Sequence, residues 1–356
     1  MHRPAARCGA ARLARVAGVT SDRSVLSVLG ELVVDMLPDA AAGAGPHGTT
    51  PRYVARPGGN ALNVAVAAGR LGVPVRLLAR LGTGPLAVGL RRHVELAGVD
   101  LAGFVPATEP VSLAVVGLSA DGSADYGFHV QGAADWQWTD EELAAVLPRG
   151  TAILHVGSIS SWTPPGCEAI ARLVEQVAAD DRALISVDPN IRPMLADGPV
   201  GTALGNSPAS VRARLDRLLS RADIVKVSAE DLAWLEPDAA RDLDATALRW
   251  ADRGVALVLL TDGGAPLRIA RPGRELLHRE PPQVTVTDTV GAGDSLAAGL
   301  FAGLLEAGVT TRAALEQLPD EELLPIVDDA LLVAAVNCTR EGADPPTRDD
   351  LDAARR

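Results

Sequence analysis

The sequence predicts an α/β fold in which a central, mostly parallel sheet is covered by helices and a small second sheet stands to one side. Three observations predict it. The apolar runs Thr151-Ala-Ile-Leu-His-Val-Gly157 and Ala183-Leu-Ile-Ser-Val-Asp188 flank a helical stretch from Glu168 to Ala179, the strand–helix–strand spacing of a parallel sheet. A glycine-rich turn, Asp288-Thr-Val-Gly-Ala-Gly-Asp-Ser295, opens directly into the small, apolar, proline-free helix Leu296 to Leu305. Between Val111 and Trp138 the pattern changes to alternating strands around Asp121-Gly122, a strong hairpin signal.

A chain of 356 residues that is 47% hydrophobic can bury one large core, or one core and a small appendage. Its net charge of −12 and its 3% aromatic content argue against binding nucleic acid through phosphates or stacked bases. Any phosphorylated ligand must therefore be held locally, by backbone amides and a few arginines, against the overall field. Cys8, Cys167 and Cys338 are too scattered for a metal or redox pair and suggest a reducing compartment. Apolar runs such as Val255 to Leu260 are too short to span a bilayer, so a cytoplasmic protein without membrane partners is expected. Residues 1–24 lack the apolar core of a secretory signal and are expected to be a disordered N-terminal extension. Lys226 is the only lysine, a composition bias that runs through the whole chain.

The turn at 288–295 carries the chemistry. It leaves backbone N–H groups pointing one way at the positive end of a helix, which is an anion site. Asp294 stands where the same field favours a carboxylate that can take a proton from a nearby hydroxyl, a combination suited to phosphoryl transfer to an alcohol. The plainer alternative is that Asp294 caps the helix and the glycines turn the chain. Asp-Thr-Val-Gly-Ala-Gly-Asp-Ser resembles the C-terminal signature of the ribokinase-like (PfkB) carbohydrate kinases. That resemblance implies a three-layer fold with a β-sheet lid, an anion hole of Gly291, Ala292 and Gly293 for the transferred phosphate, and Asp294 as catalytic base.

The remaining elements follow in order. Ser24 to Asp35 reads as one β-rich strand ending in an acid, and in an open α/β sheet ligands gather beyond the carboxyl ends of strands. Arg52 to Arg56 reads as a short strand entering Pro57-Gly58-Gly59-Asn60-Ala61-Leu62-Asn63, which opens a helix and resembles the family's N-terminal sugar-binding motif. The resemblance implies that Asp35, Gly59, Asn60 and Asn63 bind the sugar; helix capping is the other reading of the two asparagines. Phe128-His129-Val130-Gln131-Gly132 lacks the arginine that family members with furanose or keto-acid substrates often carry there, which disfavours an acidic sugar. Trp136 and Trp138 are read as packing residues, and His129 and His155 as structural. Asp188-Pro-Asn-Ile-Arg192, Ser228-Ala-Glu-Asp231 and Thr261-Asp-Gly263 resemble three nucleotide-side segments. They imply nucleotide contacts from Asn190, Arg192, Ser228, Thr261 and Gly263, with Asp231 acting on a metal indirectly through water.

The resemblance covers about Val25 to Thr347 and implies an ATP-dependent sugar kinase that transfers the γ-phosphate to a primary hydroxyl, with Mg2+ held mainly by phosphate oxygens and with a monovalent cation such as K+ near Gly342-Ala343. Fructose is the favoured sugar, because Gly30-Glu-Leu-Val-Val-Asp35 and Gly58-Gly59-Asn60 look most like fructokinase-type members. Ribose, 2-keto-3-deoxygluconate and nucleoside acceptors remain alternatives, as does a non-catalytic sugar-sensing binding protein. A dinucleotide-binding dehydrogenase is excluded, since the first strand is not followed by Gly-x-Gly-x-x-Gly. The expected layout is a kinase domain at 25–347, with a lid from about 49–57 and 109–131, and a C-terminal tail at 348–356. A homodimer through the open-edged lid is the expected assembly.

Overall fold

A computed structural model of the chain describes residues 25–39, 52–118, 124–238 and 241–355; the extension expected at 1–24 lies outside them. The strands are β1 (Val25–Leu29), β2 (Val33–Pro38), β3 (Tyr53–Gly58), β4 (Val75–Leu81), β5 (Phe104–Pro106), β6 (Ser112–Leu118), β7 (Ala124–His129), β8 (Thr151–Gly157), β9 (Leu184–Asp188), β10 (Ile224–Ser228), β11 (Leu257–Thr261), β12 (Leu267–Ala270) and β13 (Leu277–Arg279). The helices are α1 (Asn60–Arg70), α2 (Pro85–Leu96), α3 (Asp140–Val146), α4 (Cys167–Ala179), α5 (Pro193–Ala196), α6 (Gly198–Ala203), α7 (Pro208–Leu219), α8 (Ala229–Leu235), α9 (Leu243–Asp252), α10 (Ala292–Glu306), α11 (Arg312–Gln317), α12 (Asp320–Cys338) and α13 (Arg348–Ala354).

Nine strands form the main sheet in the order β13-β12-β11-β10-β9-β8-β1-β4-β5. Pairing is parallel from β11 to β5, and β12 and β13 add an antiparallel edge. The chain builds outward from β1 in both directions, so the order reverses beside β1, the place where open α/β sheets leave a crevice at their strand ends. The period-2 alternation of each strand divides its side chains between two cores. In β11, Leu257 and Leu259 join the core shared with α1, α10 and α12, while Val258 and Leu260 join the core on the other face. The result is helix, sheet, helix in three layers.

Helix α10 is buried almost all round, and its small residues let neighbours approach: a Cβ at Gly299 would lie 2.7 Å from the Ala330 Cα of α12. α1 packs on its other side.

The four-stranded second sheet has the order β3-β2-β6-β7. Here the structure corrects the reading of Ser24 to Asp35 as one strand. The run breaks at Gly30-Glu31-Leu32, so β1 stays in the main sheet and β2 crosses into the small one. Asp35 therefore belongs to the lid sheet rather than to a main-sheet strand end. The cause is local: a Cβ at Gly30 would meet the Ala61 Cβ at 2.6 Å, so α1 closes over the chain at that point.

The expected C-terminal tail is also corrected. Residues 348–354 form α13, which starts with a capping box between Thr347 and Asp350 and buries Leu351 in the core. Trp136 and Trp138 are buried, as their packing role required, although Trp136 closes a short 3₁₀ turn rather than continuing a strand.

Candidate active site

The carboxyl ends of the parallel strands bring the candidate residues into line. Gly157 of β8 stands beside Asp188 of β9, and Ser228 of β10 beside Thr261 of β11. The N-termini of α1 and α10 meet at the same edge, because Asn60 and Asn63 in the first turn of α1 both reach Asp294 in the first turn of α10.

Asp294 is held from both sides. Asn60 Nδ2 donates to its Oδ1 at 2.7 Å and Asn63 Nδ2 to its Oδ2 at 2.8 Å. Behind them, Asn60 Nδ2 is also 3.3 Å from Asp188 Oδ2, and the Lys226 ammonium pairs with that same oxygen at 3.1 Å. Burial pushes the Asp294 carboxyl up to about 6, and the nearby Asp188 adds to the rise, while Lys226, the Asn63 amide and Arg192 oppose it. At neutral pH Asp294 is ionised and poised within reach of a proton.

The turn ahead of α10 is shaped by Gly291, whose φ of 74° lies in the left-handed region. The N–H of Ala292 turns back to Thr289 O at 3.2 Å, and that of Ser295 closes the first helical bond on Gly291 O at 2.8 Å. Among the described residues this leaves the N–H groups of Gly291, Gly293 and Asp294 without a protein acceptor. Of the three residues expected to form an anion hole, Gly291 and Gly293 thus keep open amides while that of Ala292 is used inside the turn, and the amide of Asp294 is open as well.

A cleft of about 720 Å³ runs from Asp35 and Phe128 of the small sheet past Arg192 to Asp288 and Val290, immediately ahead of the turn. Burial pushes the Asp35 carboxyl up to about 6, against the pull of the Arg192 guanidinium. The Asp35 carboxylate lies directly on the Gly58 backbone, where a Cβ would be 2.1 Å from its Oδ2. Sequence reasoning singled out Gly59 and passed over Gly58; only the register of β2 against β3 reveals why the first glycine is needed. Gly59 itself caps α1 with a φ of 105°, and a Cβ there would strike Glu31 O at 2.6 Å.

Other expectations are redirected. Asn60 and Asn63, expected to face a sugar, donate their buried amides to the Asp294 carboxylate in this structure. Ser228 and Asp231 form the capping box of α8: Ser228 Oγ donates to Asp231 Oδ2 at 2.6 Å, and Asp231 Oδ1 accepts from Ile191 N at 2.7 Å. Both side chains help join α8 to the 189–192 segment, beside whatever part they take toward nucleotide or metal. Asn190, with φ 39°, accepts from Arg192 Nη1 at 2.7 Å and so aims the arginine. Arg192 lines the cleft that holds Asp35 and Asp288. Thr261 and Gly263 lie at the end of β11 outside that cleft, and the surroundings of Gly263 are open. His155 is buried and neutral, held well below its usual range, to about 3, by burial and by Lys226, in keeping with a structural role. Among the described residues no three acidic, histidine or cysteine side chains gather as a metal site, and no helix is long and apolar enough to cross a membrane.

The chain as a whole is similar to known kinases. The pfkB family of carbohydrate kinases matches residues 24–350. A fructokinase of Rhizobium leguminosarum bv. trifolii is 33% identical over 295 residues, covering 83% of this chain and 84% of that protein. A fructokinase of Klebsiella pneumoniae is 32% identical over 328 residues, covering 91% and 97%. Among solved structures, that of a fructokinase from Xylella fastidiosa with bound ATP superposes with a TM-score of 0.79 at 26% identity, covering 92% of this chain and 97% of that one. The chain belongs to the pfkB family of carbohydrate kinases and is an ATP-dependent sugar kinase.

Proposed function

We propose that this sugar kinase phosphorylates fructose on a primary hydroxyl, with Asp294 as the proton acceptor. The observation that carries the reading is the clamped Asp294 carboxylate beside the unengaged amides of Gly293 and Asp294 at the mouth of α10. In the transfer, the sugar oxygen forms a bond to the γ-phosphorus of ATP as the bond from that phosphorus to the β–γ bridging oxygen breaks. ADP leaves, and the hydroxyl proton passes to Asp294. The amides hold the equatorial phosphoryl oxygens, where negative charge is densest during transfer. A non-catalytic sugar sensor has no use for a carboxylate positioned by two buried asparagines.

Asp35 accepts hydrogen bonds from the sugar hydroxyls, since a carboxylate with two oxygens suits a vicinal diol. Arg192, aimed by Asn190, acts on both Asp35 and Asp294 and so spans the acceptor and phosphoryl ends of the cleft. Thr261 and Gly263 contact the nucleotide at the open end of β11. Mg2+ would be carried mainly by phosphate oxygens and water, where it would neutralise charge on the polyphosphate. The lid sheet closes the cleft against water, which keeps the phosphoryl group from hydrolysis. Fructose is favoured because the two relatives above are both fructokinases. We place the protein in the cytoplasm, as a homodimer through the lid, where Tyr53 and Val54 of the edge strand β3 are 39% and 41% exposed.

The test is ADP release from ATP against a panel of ketoses, aldoses, sugar acids and nucleosides, with size-exclusion chromatography for the dimer. Fructose should give the highest kcat/KM. A nucleoside or a sugar acid ahead of fructose would overturn the choice of acceptor.

A further inference from the structure

One charged group at the site has no part in the transfer described so far. Lys226 is the only lysine in a chain whose other 32 basic residues are arginine. Alternation along β10 puts Ile224 and Lys226 on the face beneath α1 and α10, opposite Val225 and Val227. Lys226 thus occupies a position that would otherwise belong to the apolar core, and its side chain is 9% exposed. Its ammonium lies against the backbone of the anion turn: a Cβ at Gly293 would stand 2.6 Å from Nζ and 3.1 Å from Cε.

Burial alone would discharge such a lysine. It is overruled by Asp188 from β9, Asp231 from α8 and Asp294 from α10, which together raise the Lys226 pKa above its usual value. The remaining ionisable neighbours are His155 of β8, which is neutral, and Arg192 beyond β9, whose charge also reaches Asp294. Lys226 is therefore the buried cation among three carboxylates at the place where a polyphosphate must dock. An arginine would fit poorly, because a planar guanidinium is broader than a compact ammonium and the space beside Gly293 would not admit even a Cβ next to Nζ.

We propose that Lys226 is the fixed positive charge of the phosphoryl-transfer site: standing behind Gly293 and paired with Asp188, it offsets the carboxylates so that Asp294 stays ionised and the anion turn attracts phosphate. Lys226 is a positioning residue, since it acts through Asp294 and the turn. The inference rests on the kinase reading above. It explains why Gly293 must be glycine: the residue leaves room for the cation as well as baring an amide.

The test compares wild type, Lys226→Met, Lys226→Arg and the double variant Asp188→Asn/Lys226→Met. Each is assayed for kcat against pH with fructose and ATP, and for fructose and ATP binding by calorimetry. Lys226→Met should keep its fructose affinity, lose about 10²-fold in kcat, bind ATP about tenfold more weakly, and move the acid limb of the kcat profile upward by about one pH unit. Lys226→Arg should not restore the rate. The double variant removes the ion pair as a unit, which guards against a single variant that fails to fold; it should remain about 30-fold slower than wild type. Recovery of the double variant to the wild-type rate would reduce Lys226 to a structural partner of Asp188, and Lys226→Met with an unchanged rate and acid limb would overturn the proposal outright. Failure of the kinase reading looks different: the wild type itself would turn over no sugar.

Discussion

The two ends of the cleft are built differently. At the phosphoryl end, Asp294, Asn60, Asn63, Asp188 and Lys226 are all buried, and each acts on another across elements far apart in sequence. At the acceptor end, Asp35 sits on a half-exposed lid strand, with Arg192 acting on it across the cleft and with an outer edge that leaves Tyr53 and Val54 in solvent. The difference teaches a division of labour. On the function proposed above, groups that meet charge developing in the transition state are buried and preorganised, whereas the group that meets the sugar sits on the more exposed small sheet. Damage at the first end should therefore appear in kcat, and damage at the second in KM.

Four variants sharpen or break that division. Asp294→Asn should lower kcat by about 10³-fold while calorimetry still detects fructose binding; retained turnover would remove Asp294 from its role. Gly293→Ala should cost about 10²-fold in kcat, because the new methyl meets Lys226 Nζ and shifts the turn. Gly58→Ala should raise the KM for fructose about tenfold with kcat nearly kept, since the added Cβ displaces the Asp35 carboxylate alone. A fall confined to kcat would erase the distinction between the two ends. The smallest effect belongs to Arg56→Ala, which breaks the 2.7 Å pair between the lid and Glu341. With both partners partly exposed, thermal unfolding should register less than about 1 kcal/mol, and less again at high salt.

The phosphoryl end was the more legible in sequence, because glycine reports backbone needs directly. Gly291 at a positive φ and the open amide of Gly293 belong to a turn that few other residues can make. The placing of Asp35 was less legible. The break at Gly30-Glu31-Leu32 lies inside an otherwise continuous β-rich run, and only the close approach of α1 shows that the strand must change sheets. Asn60 and Asn63 were legible as site residues, but their bonds to Asp294 were not, since it lies 231 or more residues away and no local pattern encodes that distance. The place of Lys226 beside the turn that opens α10 shows only once the elements are assembled. Asp231 and Ser228 matched a motif whose letters serve here as a helix cap. Each miss concerns a contact between elements, which periodicity and propensity do not carry.

The most direct measurement is the single-turnover rate of phosphoryl transfer to fructose as a function of pH, taken at saturating ATP and sugar in an Asp35→Asn background. Of the two site carboxylates raised to about 6, that background leaves only Asp294. A carboxylate must be deprotonated to accept the hydroxyl proton, so the rate should be level above about pH 7 and fall about tenfold per unit below about pH 6. A rate that stays flat from about pH 7 down to about pH 5 would contradict Asp294 as the proton acceptor.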